Sequence, residues 1–193
     1  MIVYKIADQP QEFEWIHQLN YRTFVEEIPQ HQARDGRLVD KFHRENTYFI
    51  ALDEGRLVGM VAQRAKRPFS LDAKLADLDS FLPPGRGVCE MRLLAVEKAY
   101  RRGPVFRSLM DHSLRHGIAL GYHVAVISAT TRQLKLYRHM GFVPFGPLVG
   151  TPGAQFQPML LTVEALQEHS AQAIFRARTD WNFSHEPPVV DGD

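Results

Sequence analysis

The sequence predicts an α/β (α+β) fold in which a mixed sheet is flanked by helices. Short β-branched and aromatic stretches, typical of strands, alternate with stretches whose apolar residues recur every three or four positions, typical of helices. Their order is strand, helix, three strands, helix, strand, helix and two strands, followed by a terminal helix. We expect residues 1–179 to form one domain and residues 180–193, rich in proline and acidic residues, to form a C-terminal tail.

The first half of the chain contains three predicted strands and one predicted helix. Residues 2–7 are apolar and β-branched, and a helix begins at Pro10, because proline suits the first helical turn. Residues 30–46 are polar and predict a loop with a short helix. Residues 47–52 and 57–64 flank an Asp-Glu-Gly-Arg turn and predict a hairpin.

The second half follows a connection rich in proline and glycine. Its clearest element is a helix in which Phe106, Met110, Leu114 and Ile118 recur every four positions, and Gly121 ends this helix. The predicted elements are strands at residues 88–96, 123–127, 142–145 and 156–162 and helices at residues 104–120, 130–140 and 163–177.

The composition excludes several classes of protein and site. The 23 basic and 22 acidic residues give a formal net charge of +1, which provides no electrostatic surface for nucleic acid. Cys89 is the one cysteine, so no thiol cluster can hold a metal, and we expect no metal centre. No apolar run approaches the ~20 residues of a membrane span, and the N-terminal segment lacks the apolar core of a signal peptide. We therefore expect a cytoplasmic protein without a membrane span.

The segment from residue 90 to residue 146 carries the chemistry. A strand (EMRLLAV) leads through a short loop (EKAYRRGPV) into the amphipathic helix, and a second strand, a second helix and the sequence LYRHMGF follow. This order resembles the acyl-CoA site of the GNAT superfamily of N-acyltransferases. The resemblance implies a GNAT-like, mostly antiparallel central sheet of about seven strands, in which one strand splays from its neighbour and admits a thioester arm. It also implies that the backbone at Leu94 and Val96 pairs with the pantetheine amides.

A second resemblance involves the N-terminal third. The sequences NYRTFVEE at residues 20–27, DKF at residues 40–42 and EMRLLAV resemble the autoinducer synthases and N-acyl amino acid synthases. Relatives of that kind take acyl groups from acyl-carrier protein, so this branch implies a carrier-protein partner and an amino acid or small amine as acceptor. It implies substrate-binding roles for Arg22, Phe24 and Arg92, whereas the alternative is that Arg22 and Phe24 simply belong to an amphipathic first helix.

The loop before the helix predicted at residues 104–120 predicts an anion site, because a helix N-terminus offers unpaired N–H groups at the positive end of its dipole. In the GNAT resemblance Arg101 takes the first position of the phosphate loop. Pro104 stands where the family has glycine, and it lacks an N–H group. Phe106 stands where the family has a small residue, and Gly103 compensates if the loop is shifted by one position.

Two interpretations of this loop stay open. In one, the donor is the pantetheine of an acyl-carrier protein, which lacks the pyrophosphate of CoA. In the other, the loop still binds acyl-CoA, and Arg101, Arg102 and Arg107 supply the charge. In either case the predicted donor site in the loop and helix consists of Arg101, Arg102, Gly103, Val105 and Phe106.

Glu90 and Tyr137 are the candidate catalytic residues, because amine attack on a thioester needs a base on one side and an acid on the other. Strand alternation places Glu90 on one face with Arg92, Leu94 and Val96. A carboxylate inside an apolar strand is costly unless it is used or paired, so the alternative to a base is a plain Glu90–Arg92 pair. Tyr137 lies where the GNAT resemblance places a tyrosine near the thioester sulfur; the alternative is a core tyrosine.

Ser128 and Thr130 end a strand and are predicted to hydrogen-bond the pantetheine arm, although Thr130 equally suits an N-cap of the next helix. Cys89 lies on the apolar face of its strand, where burial raises a thiol pKa, so it is a poor nucleophile. The sequence therefore predicts an N-acyltransferase that uses acyl-CoA or acyl-phosphopantetheine as co-substrate. The rival hypothesis is a GNAT fold that binds an acyl thioester or an amino acid without catalysis.

Overall fold

The computed structural model describes residues 1–28, 35–151 and 154–170. Its helices are α1 (Pro10–Tyr21), α2 (Val105–Ala119) and α3 (Leu134–His139), and residues 163–170 are helical as well. Its strands are β1 (Ile2–Ile6), β2 (Thr47–Asp53), β3 (Arg56–Arg64), β4 (Gly87–Val96), β5 (Tyr122–Thr130), β6 (Val143–Pro144), β7 (Val149–Thr151) and β8 (Ala154–Thr162). The predicted tail at 180–193 and the end of the predicted terminal helix lie outside the described residues.

Eight strands form one sheet in the order β1-β2-β3-β4-β5-β8-β6, and β7 also pairs with β8. Neighbouring strands are antiparallel except β4 and β5, which are parallel. The predicted fold class, a mixed and mostly antiparallel sheet flanked by helices, is confirmed. The expected number of strands, about seven, did not include β7, because a three-residue strand containing Gly150 at φ 104° has no recognisable periodicity.

Strands β4 and β5 separate part-way along their length. Their pairing ends at Glu90 and Val126, although β4 continues to Val96 and β5 to Thr130. At the paired end the backbones are close, since a Cβ on Gly87 would lie 2.3 Å from a carbonyl oxygen of the turn before β5. Beyond Glu90 the facing edges leave backbone N–H and C=O groups that a bound molecule can satisfy. The structure therefore contains the splayed strand that the GNAT resemblance implies.

A β-bulge in β4 accompanies this split. The register between β3 and β4 shifts between Met60 and Ala62, so Leu93 and Leu94 together oppose Val61. Leu93 adopts φ 54°, a left-handed conformation that is rare for a branched apolar residue and costs of order 1–3 kcal/mol. Such a bulge bends its strand and redirects the side chains that follow it.

Apolar side chains pack on both faces of the sheet. On one face Val105 and Leu109 of α2 pack over β3 at Gly59, where a Cβ would lie 2.8 Å from Val105 Cγ1. On the other face Ile16 and Leu19 of α1 pack over β2 and β3. A third cluster joins the 69–82 connection to β5 and β7. The sheet is therefore held rigidly at the positions that flank the split.

Three helical boundaries differ from the predictions. The first helix changes at Arg22 into a π-helical turn, Arg22–Glu27, in which Ile28 N–H donates to Thr23 C=O at 2.9 Å. The helix predicted at 130–140 is a short 3₁₀ turn followed by α3, and it ends before Gly141 at φ 93°. The short helix predicted in 30–46 is a 3₁₀ turn at His43–Glu45, while residues 29–34 lie outside the described part. No described helix is long and apolar enough to cross a bilayer.

Candidate active site in the split sheet

A cavity of about 290 Å³ lies in the split between β4 and β5; we call it the split cavity. Its lining comes from both strands, α2, α3, the π-helical turn and the 70–74 segment. Seven residues predicted from the sequence line it, namely Phe24, Glu90, Arg92, Leu94, Ser128, Thr130 and Tyr137. The fold therefore brings together residues that are more than a hundred positions apart.

Glu90 is buried at the point where the two strands part. Its carboxylate accepts hydrogen bonds from Ser70 N–H at 2.8 Å, from the Ser70 hydroxyl and from Leu71 N–H at 3.2 Å. Arg92 Nε lies 3.8 Å from Glu90 Oε2. These three hydrogen bonds and the neighbouring guanidinium hold the Glu90 carboxylate in one position at the wall of the cavity.

Arg92 also pairs with Asp40, whose carboxylate lies 2.8 Å from Arg92 Nη1. Both side chains are mostly buried, and Asn46 Nδ2 donates to the same Asp40 oxygen at 2.7 Å. Asp40 belongs to the DKF sequence at residues 40–42 and is not among the site residues predicted from the sequence. The Arg92–Asp40 pair spans 52 positions, and no local pattern indicates it.

The predicted grouping of β4 side chains is wrong beyond Arg92. Cys89 and Met91 pack in the α2 core, and Leu94 and Val96 pack with the same core, whereas Leu93 and Ala95 pack in the α1 core. The bulge inserts one extra residue, and a shift of one position exchanges the two faces of a strand. Leu94 and Val96 are therefore on the opposite face from Glu90 and Arg92, and only their backbone shares the edge of the split.

Tyr137 and Ser128 face the cavity on its other side. Burial raises the pKa of Tyr137 to about 12, so its phenol is protonated at neutral pH. In the described part of the chain the Tyr137 hydroxyl makes no hydrogen bond, and the buried Ser128 Oγ has no partner either. Thr130 occupies the N-cap position before the 3₁₀ turn, but its hydroxyl donates to Gln133 Oε1 at 3.2 Å instead of capping the backbone.

A second cavity, of about 420 Å³, adjoins the split cavity at the N-terminus of α2; we call it the α2 groove. The two share Phe24, Leu94, Thr130 and Gln133. Among the described residues no side chain caps the first turn of α2, which begins after Pro104, so its N–H groups are available to an anion. Predicted donor-site residues that line the groove are Val96, Arg101, Gly103 and Phe106, together with Arg107.

Arg101 is already engaged by the protein. Its Nη1 and Nη2 lie 2.5 and 2.7 Å from the two carboxylate oxygens of Glu27, and its Nε donates to Val96 C=O at 2.9 Å. Glu27 belongs to the π-helical turn, which therefore closes over the groove. No local sequence pattern indicates this pair, which joins residues 74 positions apart.

Other predicted residues lie outside the two cavities. Arg22 pairs with Glu97 at 2.5 Å and does not line the split cavity, whereas Phe24 lines both cavities. Val105 is fully buried in the α2 core, so only its backbone can meet a ligand. Arg102 is exposed beside the groove and lines neither cavity.

Ser70 and Lys74 are cavity residues that the sequence analysis missed. They lie in the connection at 66–87, where one turn at residues 71–75 is held by Leu75 N–H donating to Leu71 C=O at 2.9 Å. From the sequence, this segment is only a connection rich in proline and glycine. In a long irregular connection no sequence pattern distinguishes a polar residue that lines a site from one that faces solvent.

Cys89 is buried, and its thiol pKa is raised to about 12 by burial. This value confirms the expectation that Cys89 is a poor nucleophile at neutral pH. His112 stacks on Tyr4, and His116 contacts Phe49 edge-on, both on the α2 side of the sheet and away from the split cavity.

The family model of the N-acyl amino acid synthase FeeM matches residues 16–164 of the 193-residue chain. The chain belongs to the FeeM family of N-acyl amino acid synthases. This match includes every predicted site residue from Arg22 to Tyr137, and it confirms the resemblance to that branch of GNAT-like enzymes. The chain is accordingly an N-acyltransferase, and the hypothesis of a fold without catalysis loses its support. No curated protein matches the sequence significantly.

Solved structures share the fold at low sequence identity. FeeM, an N-acyl amino acid synthase from uncultured soil microbes, is 17% identical with a TM-score of 0.74, and the match covers 91% of this chain and 98% of FeeM. The CoA-dependent acyl-homoserine lactone synthase BjaI, solved with SAM and isopentyl-CoA, is 21% identical with a TM-score of 0.68, covering 89% and 88%. The AHL synthase LasI is 14% identical with a TM-score of 0.67, covering 84% and 90%.

Proposed function

We propose that this enzyme transfers an acyl group from a pantetheine thioester to the amine of an amino acid. The observation that carries the proposal is the split cavity, where a free β4 edge meets a charged wall on one side and a phenol on the other. The family description and the FeeM structure both name an N-acyl amino acid synthase, which favours an amino acid over other amines.

The pantetheine arm lies along β4 beyond Glu90, in this proposal. There the backbone of residues 91–95 is not paired with β5, so N–H and C=O groups on that edge can pair with the two amides of pantetheine. Ser128 Oγ, buried and without a protein partner in the described region, adds a further hydrogen bond from β5. Pantetheine would pair backbone and hydroxyl groups that otherwise lack a hydrogen-bond partner, which makes its binding here favourable.

Glu90 acts as the base for the acceptor amine, and it acts through a water molecule. Its oxygens already accept three hydrogen bonds from the 70–71 segment, so direct contact with the amine is restricted. Its negative charge also stabilises the positive charge that develops on nitrogen during attack. Asp40 holds Arg92 beside Glu90 and thereby fixes the charge balance of this wall.

Tyr137 donates a hydrogen bond to the departing thiolate. Its pKa of about 12 is roughly 3.5 units above that of an ordinary thiol, so complete proton transfer would cost about 5 kcal/mol. A hydrogen bond that is kept throughout the step avoids this cost and still stabilises the developing charge. The proton released by the amine therefore reaches the thiolate or solvent by another route.

The donor is carried by acyl-carrier protein, in this proposal, and not by free CoA. Arg101, which stands at the head of the phosphate loop, has its guanidinium bound to Glu27 and Val96. Pro104 removes one N–H group from the loop, and Phe106 lines the groove where a small residue would admit a pyrophosphate. These features lower the affinity for the pyrophosphate of CoA, while the pantetheine-binding edge in the split is unaffected.

The test is a turnover assay that separates donor from acceptor. Purified enzyme is given a mixture of amino acids with either acyl-carrier proteins or acyl-CoAs of several chain lengths, and mass spectrometry detects N-acyl amino acids. We expect products from the carrier-protein mixture at a kcat/KM at least 10-fold above that with CoA. Micromolar CoA affinity by calorimetry would overturn the donor assignment, and the absence of any acyl amino acid would overturn the proposed function.

A further inference from the structure

Lys74 is a cation on the rim of the split cavity that the proposed chemistry does not use. In the described part of the chain it forms no ion pair, and its Nζ lies 4.4 Å from the ring centre of Phe156. Its pKa is lowered, mainly because neighbouring groups desolvate the ammonium, while the charge of Glu90 acts in the opposite direction. Because the Lys74 side chain is also exposed at the rim, an anion bound in the cavity can reach the ammonium directly.

The segment that carries Lys74 is firmly anchored. Phe69, Leu71 and Leu75 are buried in the cluster beside β5, and Asp72 accepts a hydrogen bond from Phe69 N–H at 2.5 Å. Lys74 N–H donates to Leu71 C=O at 3.0 Å within the same turn. The backbone at Lys74 is therefore held by packing before any ligand binds, although the side chain itself is exposed at the mouth of the cavity.

The same segment holds Glu90. Ser70, four residues before Lys74, donates its N–H and its hydroxyl to the Glu90 carboxylate. One helical turn thus ties a negative and a positive side chain to the same wall of one cavity. The other charged side chain in that lining, Arg92, is already paired with Asp40 at 2.8 Å.

We propose that Lys74 binds the carboxylate of an α-amino acid acceptor and so selects amino acids over amines that lack a carboxylate. An amino acid carries a basic nitrogen and a carboxylate on one carbon, and the wall formed by Glu90 and Lys74 carries the complementary pair of charges. Glu90 then faces the nitrogen, and Lys74 faces the carboxylate. This inference rests on the proposed function, which assigns the acceptor to this cavity.

The experiment compares an amino acid with its primary amide as acceptors, at fixed saturating acyl donor. Five proteins are measured: the wild type, Lys74→Met, Lys74→Gln, Lys74→Arg and the control Lys66→Met, in which an exposed lysine outside the cavity is changed. Loss of one hydrogen bond to a charged group predicts a fall of about 10- to 100-fold in kcat/KM for the amino acid in Lys74→Met. We expect this fall in KM and not in kcat, a change of less than 3-fold for the amide, and recovery to within 5-fold in Lys74→Arg.

An amino acid and its amide differ in the basicity of the amine. This difference cancels, because each variant is compared with the wild type on the same acceptor. An equal fall for the acid and the amide overturns the assignment of Lys74 while acyl transfer stands. A wild type that acylates neither acceptor with either donor overturns the proposed function and this inference with it. Lys74→Gln, measured beside Lys74→Met, shows the same selectivity if the charge is the cause.

Discussion

The substitution Tyr137→Phe separates the catalytic role of the hydroxyl from the packing role of the aromatic ring. In the described residues this hydroxyl has no hydrogen-bond partner, and burial holds its pKa at about 12. The hydroxyl oxygen is not among the fully buried atoms that lack a partner, so in the free enzyme it borders the open split cavity. Tyr137→Phe should therefore change the free energy of unfolding by less than about 1 kcal/mol, which corresponds to a shift in Tm of at most roughly 2–4 °C in a chain of this size.

The same substitution should remove most of the activity. A donor aimed at a charge that develops in the transition state is worth about 10²- to 10³-fold in kcat. Because the hydrogen bond forms with the leaving thiolate, the loss should fall on kcat while both KM values stay within about 2-fold. Release of free thiol, followed continuously at saturating donor and acceptor, measures this change.

Tyr4→Phe is the matched control, because Tyr4 stacks on His112 on the α2 side of the sheet and lines neither the split cavity nor the α2 groove. It should retain kcat within 2-fold. The reasoning would be refuted by a Tyr137→Phe enzyme with wild-type kcat, which would make Tyr137 an ordinary core residue. A fall in Tm of more than about 5 °C would show that the hydroxyl has a partner in the folded protein.

Three further predictions concern stability and the donor loop. Burial raises the folded-state pKa of Cys89 from 9.0 to about 12, so the stability contributed by the protonated thiol is complete below pH 9 and is lost as the pH rises towards 12. This loss amounts to at most about 1.4 kcal/mol per pH unit. In urea titrations above pH 9, the Cys89→Ala variant should lack this part of the decline in stability. Gly87→Ala should lower the free energy of unfolding by about 1–3 kcal/mol, since its Cβ would lie 2.3 Å from Gly121 O; an unchanged denaturant midpoint would contradict the close approach. Glu27→Gln releases Arg101 and should tighten CoA binding in calorimetry by up to about 5-fold, the value of an exposed ion pair, whereas weaker binding would place Glu27 among the donor's own contacts.

The element order was predictable because it depends on local pattern. The α2 helix has apolar residues at every fourth position, and a glycine at φ 83° follows it; the hairpin of β2 and β3 has a turn sequence between two β-rich stretches. Each of these signals lies within a window of about fifteen residues. Together they define a sheet with helices on both faces, and the match to a family then fixes the topology.

The bulge in β4 could not be read from the sequence. Leu93 adopts a positive φ although leucine has no preference for that conformation, so the cause is the pairing with β3 and the separation from β5. The error about Leu94 and Val96 follows directly, because strict alternation assumes a strand without an extra residue. A site on a bulged strand is therefore the place where a face assignment from sequence is least secure.

The contacts that complete the site are long-range. Glu90 with Ser70, Arg92 with Asp40, and Arg101 with Glu27 are separated by 20, 52 and 74 positions. Burial of the Glu90 charge predicted that it has partners, but not which ones. Lys74 lies in a connection without periodicity, so only the fold shows that it reaches the cavity.

The most direct test is a crystal structure with an acyl-pantetheine thioether. In this analogue a methylene group replaces the thioester carbonyl, so no acyl group can be transferred. We expect density for the arm between the free edge of β4 at Leu94 and Ser128 of β5, with the sulfur beside the Tyr137 hydroxyl. It would be contradicted by a structure in which β4 and β5 are hydrogen-bonded to each other along residues 91–96, or in which the arm binds on another face of the protein.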